Sequence, residues 1–176
     1  MKYLYTLILT VLLTSLTFAQ EEVLDALENP SETTTYYFIR HAEKDRSDTN
    51  NKNPNLIQKG IFRAAKWSYV LEHVKFDAVY STDYNRTKQT AQPTAEKNNV
   101  EITIYNPKEL NSEDFIKNTK GKTVLIVGHS NTTPNFANAV IGKEKYEPID
   151  DSNNANLYIV TITSSGEILD MVLVID

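Results

Sequence analysis

The sequence predicts an α/β domain, a three-layer α/β/α sandwich built on a mostly parallel sheet. Three observations predict it. From residue 36 onward, short runs rich in β-branched and aromatic residues alternate with longer segments of helical period. The run "TVLIVG" (123–128) is apolar without alternation, as in strands covered on both faces within a parallel sheet. The chain has 176 residues and no internal repeat, which suits one domain with a core large enough to stand alone.

Taken in order, "TYYFIR" (35–40) reads as a short strand. In "LIQKGIFRAAKWSYVLEHV" (56–74), Leu56, Ile61, Ala64, Ala65, Trp67, Ser68 and Leu71 fall near one helical stripe. "FDAVYS" (76–81) is the next strand, followed by a helix from Tyr84 that Asp83 could cap and Pro93 could kink. "VEITIY" (100–105) is a strand, and residues 112–118 form a brief helix. After "TVLIVG", Thr133 and Pro134 fit an N-cap and first helical position, for a helix to about Ile141. "NLYIVTIT" and "EILDMVLVI" close the chain as a strand pair around the turn "SSGE".

Upstream of this domain (36–176), residues 1–19 read as an export signal. Lys2 supplies the positive start, "LYTLILTVLLTSL" the apolar stretch, and "TFA" the small residues before a cut after Ala19. The apolar run is too short and too polar in places for a stable membrane span. Residues 20–35, "QEEVLDALENPSETTT", carry five acids and no base and read as a poorly ordered acidic linker. The expectation is an exported protein, periplasmic or secreted. With no cysteine, disulfides and a lipid-modified N-terminal Cys are excluded. A net charge of −5 without a basic run leaves no electrostatic footprint for nucleic acid.

In an open α/β sheet, ligands collect beyond the carboxyl ends of the strands. Three such ends carry polar residues: Arg40-His41, the segment Ser81 to Arg86, and Gly128-His129-Ser130. The last could be the elbow of a serine hydrolase, but it lacks the second glycine of G-x-S-x-G. No histidine follows His129 to complete such a triad. His41, Glu43 and Asp45 lack a recognised metal-site spacing, so no metal is expected. What remains is two guanidiniums and two imidazoles that can converge on one anion. Arg matches phosphate with a planar bidentate fork, and helix N-termini add N–H donors. Nearby positive charge keeps an imidazole neutral and nucleophilic, so that it can accept a phosphoryl group.

Four segments carry a resemblance: "IRHAEK", "LIQKGIFRAAKWSYVL", "VYSTDYNRTKQTA" and "VLIVGHSNT". Together, in this order, they resemble the R-H-G/A-E, L-x-x-x-G-x-x-R-A, S-x-x-x-R-T-x-Q-T-A and V-G-H-S/G blocks of the histidine phosphatase superfamily, also called phosphoglycerate mutase-like. The resemblance implies that fold, and a phosphatase that needs no metal or organic cofactor. It implies His41 as the nucleophile that becomes phosphohistidine, with Arg40, Arg86 and His129 on the phosphoryl oxygens. Ser130 and Asn131 follow as binding-side neighbours. The family's leaving-group acid usually lies after the R-T-x-Q-T-A helix. Here Glu109 is the first choice, with Glu113, Asp114 and Asp83 as alternatives, while Glu43 orients an arginine or lies outside the pocket. His73 reads as a solvated helix-end histidine.

The expected activity is hydrolysis of a phosphomonoester or phosphoramidate on a small molecule, a glycan or a phosphoprotein. Two rivals stand beside it: a phosphoglycerate mutase-type phosphoryl transferase, and a non-catalytic module that binds phosphate or phosphoprotein. The acidic 142–155 segment is expected to frame the pocket mouth and to disfavour very acidic substrates.

Overall fold

The computed structural model describes residues 33–176. The expected export signal (1–19) and all but the last three residues of the expected linker lie outside the described residues. Strand β1 (Thr34–Arg40) begins two residues before the expected domain boundary. Thr34 is buried, pairs with Ile162, and accepts a hydrogen bond from Gly121 N at its hydroxyl, so the last two linker residues belong to the sheet.

The elements that follow are α1 (Gln58–Val70), β2 (Ala78–Ser81), α2 (Asn85–Asn98), β3 (Ile102–Ile104) and α3 (Glu113–Thr119). After them come β4 (Thr123–Gly128), α4 (Thr132–Ile141), β5 (Asn156–Ile162) and β6 (Ile168–Val174). The sheet runs β3-β2-β4-β1-β5-β6. Its first four strands are mutually parallel, and β5 and β6 join antiparallel through the hairpin at Gly166.

Period-2 alternation sorts the core onto two faces. Tyr36, Phe38, Val124, Ile126, Tyr158 and Val160 pack against Phe115 of α3 and Phe136, Ala137 and Val140 of α4. On the other face, Ile39, Leu125, Val127, Val79 and Leu157 meet Trp67 of α1 and Ala91 and Ala95 of α2. These two cores make the three layers that the sequence predicts. No helix among the described residues is long and apolar enough to cross a membrane.

Local details differ from expectation for physical reasons. The buried stripe of α1 is Gly60, Ala64, Trp67 and Ser68, and Ile61 is exposed. Asp83 does not cap α2; its carboxylate pairs with Lys88 at 2.7 Å in solvent. Helix α2 runs through Pro93, held by the burial of Thr90, Ala91, Thr94 and Ala95. Helix α4 starts at Thr132, so Thr133 is inside it and Pro134 lies in the first turn, where a missing N–H has no intrahelical acceptor anyway.

Candidate active site

The strand order places three carboxyl ends side by side. Strand β1 is parallel to β4 with Arg40 opposite Gly128, and His41 N continues the ladder to Gly128 O at 2.9 Å. His41 and His129 therefore stand next to each other, ring centroids 5.5 Å apart and close to edge-on. Strand β2 flanks β4 on the other side and delivers Thr82 beside His129; α2 then starts with Arg86 one residue into the helix. A side chain at Gly128 would strike Thr132 and Thr133 hydroxyls at 2.9 Å, so the turn from β4 to α4 has room only for glycine.

The motif after β2 also fastens the loop that follows His41. The Thr90 hydroxyl accepts from Ala42 N at 2.9 Å, and the Gln89 side chain accepts from Leu56 N at 2.8 Å. Helix α1 grips the same loop, with Arg63 Nε 3.0 Å from both carboxylate oxygens of Glu43. Glu43 thus orients an arginine, one of the two expected outcomes. Burial works against its ionised form, but its own backbone N–H and Arg63 hold the carboxyl below the usual range.

His41 is buried, with Nδ1 2.7 Å from Ala42 O. A carbonyl only accepts, so Nδ1 carries the proton and Nε2 keeps its lone pair. Burial lowers the His41 pKa to about 3; the charges of Arg40 and Arg86 and neighbouring His129 push the same way, against the Ala42 bond. His129 falls to about 4, through burial and then the charges of Arg86, Lys44 and Arg40. Its Nε2 lies 3.0 Å from the Thr82 hydroxyl, which donates to Thr87 at 3.0 Å. Thr87 in turn donates to the carbonyls of Thr82 and Tyr84. That chain leaves Thr82 as the acceptor and puts the His129 proton on Nε2.

Both arginines are buried. Arg40 Nη1 donates to the carbonyls of Asp150, Asp151 and Asn153, and Nη2 to Asp151 Oδ1 at 2.6 Å. The Arg86 guanidinium lies 4.3 Å over the Tyr84 ring. In each, the buried Nε–H has no partner. Trp67 Nε1, Thr94 Oγ1 and Tyr105 Oη are buried without partners as well; what sets the two arginines apart is that their charges bear on both His41 and His129, an arrangement that can take an oxyanion.

Beside His41 opens a cavity of about 340 Å³, also lined by Lys44, Arg46, Lys59 and Asp151. The Asp151 carboxylate bridges Arg40 and Arg46 (2.6 and 2.7 Å), which hold its pKa far below normal. The acidic 142–155 segment therefore spends this charge internally.

The structure brings Arg40, His41, Arg86 and His129 together. It does not bring Glu109 to them: Glu109 lines a separate cleft with Tyr105, Ser112 and Phe136, because its loop follows β3 at the sheet edge. Glu113 and Asp114 lie in the first turn of α3, and Asp83 points to Lys88. None of the four lines the His41 cavity, whose lining also leaves out Arg40, Arg86 and His129. Ser130 is tied through its carbonyl to Ile149 N at 2.7 Å, and Asn131 is exposed ahead of α4. Thr82 and Asp151 carry no individual signal in the sequence, the first lying inside the polar segment Ser81 to Arg86 and the second inside the acidic 142–155 segment, while Thr87 stands in the R-T-x-Q-T block.

Residues 36–107 match the model of the histidine phosphatase superfamily (branch 1). The match stops before His129, which the fold supplies from β4. No curated protein matches the chain. Among solved structures it is similar to the protein histidine phosphatase SixA complexed with tungstate (TM-score 0.62, 13% identity, 80% of this chain and 96% of that one). It is also similar to phosphoglycerate mutase from Bacillus anthracis (0.60, 15%, 83% and 95%) and to a mycobacterial glucosyl-3-phosphoglycerate phosphatase (0.59, 12%, 81% and 98%). At these identities the likeness is one of fold, and the fold is phosphoglycerate mutase-like.

Proposed function

We propose that this chain, histidine phosphatase-like over residues 36–107 and phosphoglycerate mutase-like in fold, hydrolyses phosphomonoesters or phosphoramidates through a phosphohistidine on His41. The observation that carries the reading is a neutral, buried His41 set 5.5 Å from His129 and within the field of two buried arginines, Arg40 and Arg86.

The chemistry follows from the tautomer. His41 Nε2 attacks phosphorus in line, its Nδ1–H steadied by the Ala42 carbonyl as the ring becomes cationic. Arg40 and Arg86 neutralise the equatorial oxygens, which is most of what phosphoryl transfer requires. An incoming dianion raises the pKa of His129, and the protonated ring then adds a donor. Water attacks the phosphohistidine in the second half and releases phosphate. We assign the protein to the periplasm or exterior on residues 1–19 alone; a mature N-terminus at Gln20, read by sequencing the native protein, tests that.

For the activity, the purified protein is incubated with p-nitrophenyl phosphate and with phosphoramidate. Turnover is expected, with acid-labile label trapped on His41, and His41→Ala should lose on the order of 10³-fold or more in kcat. Phosphate shuttling between phosphoglycerates without release would establish a mutase instead. Phosphate binding with neither turnover nor label would establish a binding module.

A further inference from the structure

Departure of an alkoxide or amide from phosphorus calls for a proton; of the carboxyl groups expected to supply it, Glu109, Glu113 and Asp114 belong to the β3 loop and α3, and Asp83, exposed, is paired with Lys88. Two carboxylates do line the His41 cavity, Glu43 and Asp151. Both are held ionised by arginines, Glu43 by Arg63 and Asp151 by Arg40 and Arg46. Neither has a proton to give at neutral pH. His129 keeps its Nε2–H on Thr82, and the second N–H that it gains when an anion binds is spent on the phosphoryl oxygens. Arginine does not titrate in proteins, and Lys59 lies against Glu43 at 3.4 Å.

Lys44 is what remains. It sits three residues after His41, fixed by a backbone bridge to Leu56, and its half-buried side chain lines the same cavity as His41. It forms no ion pair among the described residues. We propose that Lys44 is the general acid that protonates the leaving group, and the general base that then activates water.

The step balances. As His41 Nε2 forms its bond to phosphorus, the bond from phosphorus to the leaving oxygen or nitrogen breaks, and that atom takes a proton from the Lys44 ammonium. The neutral amine then removes a proton from the water that attacks the phosphohistidine. Phosphate leaves, His41 regains its lone pair and Lys44 its charge. Burial, and the charges of Arg86, Arg46 and Arg40, push the Lys44 pKa below that of a free lysine, while Asp151 opposes them. An ammonium so placed gives up its proton more readily than a solvated one.

The proposal rests on the phosphatase reading, and a leaving-group series separates the two. Wild type, Lys44→Met and Lys44→Arg are compared on 2,4-dinitrophenyl, p-nitrophenyl, phenyl and alkyl phosphates. A good leaving group needs no acid. Both variants are therefore expected to lose on the order of 10²-fold in kcat/KM on phenyl and alkyl phosphates. On the dinitrophenyl ester they should lose less than about 3-fold, so that the dependence of rate on leaving-group basicity steepens. Lys44→Arg keeps the charge but cannot pass a proton at neutral pH. Rescue by Arg, or an equal loss on every ester, would show a purely electrostatic role and overturn the proposal while leaving the phosphatase intact. A wild type inert on the whole series would remove the phosphatase reading and this role with it.

Discussion

His41 and His129 stay neutral well below the pH at which a free imidazole takes a proton, and this ties catalysis to stability. Their pKa values in the folded protein are about 3 and about 4, against 6.5 for the unperturbed group, chiefly because both are buried. The unfolded chain therefore binds two protons that the folded one refuses. Stability from this source is complete above pH 6.5 and is lost as the pH falls from there toward 4. Each histidine contributes a slope of up to about 1.4 kcal/mol per pH unit in that window. Urea unfolding between pH 8 and 4 should show it, with little change above 7 and a steep fall below 6.5. His41→Gln should halve the fall; an unchanged slope would mean the imidazole is not buried neutral. Single residues also mark the limit of what the sequence discloses. Arg40-His41 and His129 are legible because each stands at a strand end, and Arg86 because it opens the helix just beyond one. Asp151 is not, because its partners Arg40 and Arg46 lie more than 100 positions away and only folding joins them.

At the scale of an element, helix α1 does more than cover the sheet. Ile57 N, just before it, donates to Glu43 O at 3.0 Å, and a Cβ at Gly60 would lie 2.2 Å from that oxygen. The first turn of the helix thus rests directly on the backbone between His41 and Lys44. Gly60→Ala must push the two apart, at a cost of about 1–3 kcal/mol as for other overpacked sites. We expect a lowered urea midpoint and a kcat/KM reduced on all substrates alike, since the loop shifts as a body. Wild-type stability in this variant would show that the loop is not clamped. The helix itself was readable from its period, and the glycine from the motif that contains it. The reason for the glycine was not readable, because it lies in a contact with residue 43. The capping assignments failed for a related reason. Asp83 and Thr133 have the right residue type, but Lys88 claims the first, and the Ile39 carbonyl accepts from the second. Glu109 failed at the level of topology, since its loop hangs from β3 at the edge of the sheet.

Across the whole molecule, the site is where separate parts of the chain are forced to meet. The cup draws on β1, the turn after β2, the start of α2 and the end of β4, and the segment at 150–153 wraps Arg40 from outside. The parallel layers were legible from strand–helix alternation, whereas the order β3-β2-β4-β1, which makes the ends adjacent, leaves no trace in local pattern. Buried arginines and a half-buried lysine so close together repel, and an anion among them removes that repulsion while bridging elements distant in sequence. Binding to the folded state alone raises stability by about 2.7 kcal/mol at 100 times Kd. For a domain of this size that corresponds to roughly 5–10 °C in Tm. Thermal melts of the full chain with increasing tungstate, a tetrahedral oxyanion, should rise by this order at 100 times Kd and go on climbing with the logarithm of its concentration. Arg86→Ala, which removes one stranded donor and one charge, should abolish most of the rise, whereas Lys108→Ala, on an exposed turn after β3, should keep it. A shift equal in all three proteins would mean that the oxyanion binds somewhere other than the cup.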